Sequence, residues 1–218
     1  MTDDLLPEAL PESPMPLFTQ WFSEAAVRRA QPNPDAMVLA TVSADGKPSA
    51  RVVLCKRIDA SGYLVFFTNY TSRKGVELAA RPRAAAVFHW DALHRQVRIE
   101  GPVVRSPETE SDDYFATRPV ASRVGAWASR QSQPLASRAA LAAEVERYSR
   151  EFGGDSSGQA HVPRPPHWGG YRLWIESVEL WIEGAGRIHD RAVWSRELTV
   201  VDEFSYAGGA WRATRLNP

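Results

Sequence analysis

The stretch FFTNYTSRKG (66–75) gathers the residue types from which an anion site is built. An aromatic, β-prone run stops at Asn69, small hydroxylated residues follow, and Arg73 and Lys74 stand side by side before Gly75. Ser72 is placed to cap a short helix reaching about Ala80. Thr68, Ser72, Arg73 and Lys74 then surround a helix N-terminus, where free backbone N–H groups and the helix dipole favour a phosphate and Arg adds a bidentate fork. RVVLCK (51–56) carries Arg51 and Lys56 at its ends. Their odd spacing in a regular strand sends them to opposite faces, to serve two different anions or to leave one solvated. Tyr114, Arg118 and Ser122 follow one another at helical spacing, which brings the first two to one face near a helix C-terminus and offers hydroxyl, guanidinium and hydroxyl to one anion. In the run Arg187-Ile188-His189-Asp190-Arg191, an extended backbone would put Arg187, His189 and Arg191 on one face, an arrangement that calls for an anion or a flat electron-rich ligand.

Nucleophilic and metal chemistry find little support. Cys55, in a β-branched run, reads as a small buried hydrophobe. His89, His94, His161 and His167 lack zinc spacing and read as structural or loop residues, so no metal is expected. The sequence holds no Walker loop and no GxGxxG after a strand, and its GDSSG (154–158) falls in a Gly-, Ser- and Pro-rich loop rather than at a strand-to-helix elbow.

The elements that must position these residues follow from periodicity. Between Leu17 and Ala30, Phe18, Trp21, Phe22 and Ala25 predict an amphipathic helix ending before Pro32. MVLATV (37–42) and ARVVLCKRI (50–58) around an Asp45-Gly46 turn predict a hairpin. YLVFFTN (63–69), AAAVFHW (84–90) and QVRIEG (96–101) predict the next three strands, with PVVRS continuing the last after a kink. Ser106 reads as the cap of a helix with Pro107 at its first position, acids in its first turn and Pro119 as its stop. A later helix runs from the cap Ser137 to Phe152, with Gly153-Gly154 as its end. A Gly-, Ser- and Pro-rich loop follows over 153–170. YRLWIESVELWIEG, RIHDRAVW, LTVVDEF and AWRATRL are β-prone. Strands joined by hairpins, rather than alternating with long helices, predict a mainly β protein with helices (α+β), its antiparallel sheet closed into a barrel.

The chain of 218 residues is long enough for one large core, read here as a single domain over 17–218. Residues 1–16 are acidic and Pro-rich, unlike the basic start of a signal peptide, and read as a flexible tail. Lys plus Arg and Asp plus Glu number 26 each. That balance argues against a general nucleic-acid or membrane-surface binder, so any anion site must be local. One cysteine leaves no internal disulfide and suits a reducing cytoplasm. No apolar run approaches the roughly 20 residues of a membrane span. The eight tryptophans, several near expected strands, draw attention to flat ligands.

RVVLCK, FFTNYTSRKG, RQVRIEG, YFATRP, GAWASRQS, WGGYRL, ELWIEG and RIHDR, in this order and at fitting separations, resemble the pyridoxine (pyridoxamine) 5′-phosphate oxidase family over nearly the whole chain apart from the tail. The resemblance implies a split β-barrel forming a homodimer, with FMN at the subunit interface. It implies FMN contacts from Arg51, Val52, Val53, Leu54, Cys55 and Lys56, from Phe67 and Thr68, and from Arg73 and Lys74. Gln96 would reach the flavin ring. Gln131 and Ser132 would come from the other subunit, with Trp181 and Arg191 completing the site. The substrate phosphate would be held by Lys56, Tyr114, Arg118 and Ser122, and Arg187, Ile188 and His189 would face its pyridine ring.

The implied reaction is oxidation of pyridoxamine 5′-phosphate and pyridoxine 5′-phosphate by O2 to pyridoxal 5′-phosphate, releasing hydrogen peroxide and, from the amine, ammonia. Positioning and electrostatics would dominate, and no nucleophile is needed. Phe67 stands where the family often has Tyr, LWIEG replaces the more usual FWQG, and 199–209 reads as an extra hairpin. Two rival readings are a same-scaffold flavin oxidase of the phenazine-biosynthesis type and a non-catalytic flavin- or pyridoxal-phosphate-binding protein. Retention of Lys56, Tyr114, Arg118, Ser122, Arg187 and His189 favours the vitamin substrate.

Overall fold

The computed structural model describes residues 5–153 and 161–218. In chain order the elements are α1 (Met15–Val27), β1 (Ala36–Val42), β2 (Pro48–Leu54), β3 (Arg57–Asp59), β4 (Tyr63–Asn69), α2 (Arg73–Ala80), β5 (Arg83–Trp90), β6 (Arg95–Arg105), α3 (Glu108–Thr117), α4 (Val120–Ala128), α5 (Arg138–Phe152), β7 (Trp168–Trp174), β8 (Ser177–Ile182), β9 (Asp190–Ser195), β10 (Leu198–Asp202), β11 (Ser205–Gly208) and β12 (Arg212–Leu216). Every strand pairing is antiparallel.

The sheet curls because β6 serves two walls. Its residues 95–100 pair with β8, whereas Val103–Arg105 pair with β7, which leads on to β4 and β3. The switch falls at Gly101-Pro102. A Cβ on Gly101 would lie 1.8 Å from the Trp174 carbonyl oxygen, so only glycine lets the two walls approach there. Along the other wall the order is β12-β9-β8-β6-β5-β1-β2. Alternating side chains of these strands fill the interior, with Phe66, Phe88, Trp90 and Trp194 fully buried, and α1 closes the barrel with Phe18 and Trp21. Each such side chain contributes about 1.5–3 kcal/mol by leaving water.

Several local expectations need correction. The run 50–58 is not one strand. It breaks at Cys55-Lys56, where Cys55 N–H donates to Asp35 O (2.8 Å) and Lys56 N–H to Val65 O (2.8 Å). Arg51 and Lys56 therefore do not share a regular strand, and the opposite-face argument lapses. Ser106 does not cap α3; the cap position is Pro107, with extended backbone. Ser72 and Ser137 do cap, accepting from the N–H groups of Gly75 and Ala140. The stretch read as a flexible tail is docked over residues 5–14. Leu6 is buried and its N–H donates to Asp190 Oδ2 (2.7 Å), while Trp194 Nε1 donates to Pro11 O (2.9 Å). Residues 199–209 do form a separate hairpin, β10–β11, resting on the body through the contact of Tyr206 with Trp174. Of the expected loop over 153–170, residues 154–160 lie outside the described residues.

Candidate functional site

Fourteen of the expected residues line one cleft of about 840 Å³: Arg51, Val52, Val53, Leu54, Lys56, Phe67, Thr68, Arg73, Lys74, Tyr114, Arg118, Ser122, Gln131 and Ser132. They arrive from β2 and the turn after it, from the end of β4, from the α2 N-terminus, and from the α3–α4 corner with the loop beyond. Cys55 is the exception within 51–56. It turns inward and is buried, and burial pushes its thiol up to about 12, so it is neither exposed to the cleft nor a ready nucleophile.

Lys74 is the focus of one wall. It is 7% exposed, and Nζ donates to Thr68 Oγ1 (2.9 Å), Ser72 Oγ (3.2 Å) and Gln131 Oε1 (3.3 Å). All these acceptors are neutral, and among the described residues no carboxylate pairs with it. Burial first, then the charge of Arg51, pull Lys74 down to about 8. A buried ammonium with only neutral partners is poised for an anion. Gln131, expected from the other subunit, stands beside Thr68 and Lys74 of its own chain. Ser132 follows it in left-handed backbone, φ +69°.

The second anion-receptive group is Arg118, the residue that ends α3. Its guanidinium lies 4.7 Å from the Trp168 ring and 5.6 Å from Phe115, and its Nη1 is buried without a hydrogen-bond partner. Burial lowers its pKa. Phe67 and Tyr114 stack at 3.9 Å between centroids, nearly parallel, and Trp168 continues the stack at 5.5 Å from Phe67. Ser122 sits in α4, beyond the extended Pro119, so its relation to Arg118 comes from a helix corner rather than from one continuous helix. Lys56 Nζ is engaged by Asp35 Oδ2 at 2.7 Å.

Gln96, Trp181, Arg187, Ile188, His189 and Arg191 do not line this cleft. They belong to β6, β8, the β8–β9 connection and β9, and β8 is four strands removed from β2 in the sheet order. The expected extended run at 187–191 is not one. Arg187 ends a short 3₁₀ turn at φ +66°, and β9 begins only at Asp190. His189 instead packs on Trp181 at 4.6 Å and accepts from Gly184 N–H through Nδ1 (3.2 Å). Arg191 is tied to the buried Glu179 through Nε (2.9 Å) and Nη2 (2.8 Å), and Gln96 stands opposite Trp181 in the β6–β8 register. Arg187 and Ile188 are exposed, Ile188 by 74%.

The sequence reading missed Asp35, Glu77 and Trp168 as site residues. Glu77 was within reach, one helical turn after Arg73. Trp168 stood inside a quoted motif, but nothing in its spacing tied it to Arg118. Asp35 carried no signal.

A ten-stranded antiparallel sheet, curled by a strand that serves both walls, defines a split-barrel protein. Family models match in two segments: pyridoxamine 5′-phosphate oxidase over residues 23–150, and the pyridoxine 5′-phosphate oxidase C-terminal dimerisation region over 168–218. The chain belongs to the pyridoxamine 5′-phosphate oxidase family. Similar proteins include pyridoxine/pyridoxamine 5′-phosphate oxidases of Cupriavidus necator, 50% identical over 94% of this chain and 89% of that one, and of Burkholderia multivorans, 49% identical over 97% and 91%. Among solved structures, PhzG from Burkholderia lata in complex with tetrahydrophenazine-1-carboxylic acid superposes with a TM-score of 0.85 at 33% identity, covering 99% of this chain and 98% of that one. A pyridoxamine 5′-phosphate oxidase-related, FMN-binding protein from Nostoc punctiforme has the same fold, with a TM-score of 0.67 at 16% identity over 96% of this chain and 99% of that one.

Proposed function

We propose that the protein is an FMN-dependent oxidase that converts pyridoxamine 5′-phosphate and pyridoxine 5′-phosphate to pyridoxal 5′-phosphate, acting as a cytoplasmic homodimer. The observation that carries this reading is that two cationic residues lacking an anionic partner among the described residues, the buried Lys74 and the half-buried Arg118 with its unpartnered Nη1, line one cleft from different elements. A cofactor and a substrate that each bear a phosphate need two such groups. FMN, when bound, supplies the two-electron acceptor and the route to O2.

The chain's own residues bind and orient. Arg73 and Lys74, with Arg51 behind them, hold the FMN phosphate at the α2 N-terminus. Arg118, Tyr114, Ser122 and Lys56 take the substrate phosphate, with the Lys56–Asp35 pair as a contact the substrate must share or displace. The stacked rings of Phe67, Tyr114 and Trp168 form an apolar wall that excludes water from the cleft. Gln96, Trp181, Arg187, His189 and Arg191 reach the ligands from a second copy, since their own cleft does not include them. The dimerisation-region match over 168–218 supports that assignment.

The likeness to PhzG favours one rival, a flavin oxidase acting on a tricyclic acid, whose carboxylate Arg118 could also take. Both are tested by one assay. The purified protein should carry a yellow flavin spectrum and release peroxide with each B6 phosphate. A flavin-loaded protein that turns over neither compound would overturn the proposal and leave the rival oxidase or a non-catalytic flavin protein.

A further inference from the structure

Beneath the cations of the cleft lies a carboxylate whose partners include Ser49, Arg51 and Arg73 of that wall. Glu77 is 4% exposed on α2, one turn after Arg73. Its Oε1 accepts from Arg73 Nε at 2.9 Å. Its Oε2 accepts from Ser49 Oγ at 2.6 Å, from Arg51 Nη2 at 3.2 Å and from the Thr41 hydroxyl. Arg51 is further tied by Nη1 to Leu39 O (3.3 Å) and to Thr41 Oγ1, and by Nη2 to Ser49 Oγ.

A guanidinium has five N–H donors in a fixed plane. Arg51 spends both terminal nitrogens on this network and keeps only Nε open. Arg73 does the reverse. Glu77 takes its Nε, so the fork is oriented while both terminal nitrogens stay free, on a side chain that is 61% exposed. Charge gives a second reason for the carboxylate. Arg51, Arg73 and Lys74 crowd one wall, and like charges in a low-dielectric site repel. With Glu77 among them the wall carries a net charge of about +2, which matches a phosphate monoester of about −1.5 to −2 near neutral pH.

We propose that Glu77 is the positioning residue of this phosphate cradle: by taking Arg73 Nε it aims the two terminal nitrogens at the anion, and by holding Arg51 it keeps a second cation from competing for the same space. The proposal rests on the FMN reading above and deepens it, because it names the group that makes the cradle selective for the phosphate end of the flavin.

The test uses flavin-stripped full-length protein and titrates FMN and riboflavin, followed by quenching of flavin fluorescence, for wild type, Glu77→Gln, Arg73→Ala and the double variant. Glu77→Gln should raise the FMN Kd by about tenfold or more, the scale of one charge-assisted contact, and leave riboflavin, which lacks the phosphate, within about twofold. In the Arg73→Ala background the same substitution should lose most of its effect on FMN, because the part that runs through Arg73 is gone and only the hold on Arg51 remains. Equal weakening of both flavins would mean a purely structural role and overturn the proposal, as would an undiminished effect without Arg73. FMN binding that is unchanged or tighter in Glu77→Gln would overturn it too, since Glu77 would then only compete with the ligand. A wild-type protein with no affinity for FMN would instead overturn the cofactor reading itself, a failure distinct from the others.

Discussion

Lys74 joins folding and binding through one proton. Its folded pKa, about 8, lies below the ordinary 10.5, so between those values the unfolded chain holds a proton that the folded chain has released. Stability of the flavin-free protein therefore rises as pH climbs from about 8 toward 10.5, and the penalty for burying the charge is fully present below that window. Anion binding has the opposite sign, because it needs the protonated amine. FMN affinity should fall through the same window, by at most about tenfold per pH unit for one proton. Melting of flavin-free protein and FMN titration, each from pH 7 to 10, should thus slope in opposite directions, and Lys74→Met should flatten both. At this scale the sequence was informative where chemistry is local. Ser72, Arg73 and Lys74 mark a candidate anion site through type and adjacency alone. Glu77 was legible only as an i,i+4 partner of Arg73, and Asp35 not at all, because Glu77's burial against β1 and β2 and the turn that brings Asp35 to Lys56 are tertiary.

Elements were legible in kind, less so in number and at their breaks. β-propensity runs unbroken through ARVVLCKRI, yet the chain must leave β1 at Leu54 and join β4 at Arg57, and only the tertiary partners Asp35 and Val65 set that corner. RIHDR likewise looks extended, but Gly184 and Gly186 allow a tight 3₁₀ turn that removes Arg187 from the strand. The WGG stretch shows how an element edge supports the site. A Cβ on Gly170 would stand 2.5 Å from Ser106 Oγ, 2.8 Å from Ser106 Cβ and 2.9 Å from the Phe67 ring. Phe67 is held in its stack by Tyr114 and Trp168 and cannot swing aside without opening the cleft wall. Gly170→Ala should therefore cost about 1–3 kcal/mol, the usual range for overpacking. In a thermal melt that is a Tm lower by several degrees, and the accompanying shift of Phe67 should weaken substrate binding more than FMN binding.

At the scale of the molecule, the expected site residues fall into two sets that one chain keeps apart. Fourteen of the sequence's site proposals lie outside the C-terminal segment and line the cleft, while Trp181 on β8, Arg191 on β9, and Arg187 and His189 between them fall within the region matched to a dimerisation segment. The sequence offered candidate residues but not their partition between the cleft and the β8–β9 region, because spacing along a chain does not report which copy a residue will face. If each complete site combines the cleft of one subunit with the β8–β9 face of the other, defects in the two halves must complement. Lys74→Met should inactivate the cleft and Arg191→Ala the facing surface, so either homodimer alone should show little flavin-dependent peroxide release. In a mixed dimer, one site collects both substitutions and the other is intact. Random mixing makes half of the dimers mixed, so unfolding and refolding the two variants together, or co-expressing them, should restore roughly a quarter of wild-type activity. Activity that stays at the level of the separate variants would mean that each chain builds its site alone, and the two-copy architecture would fall with it.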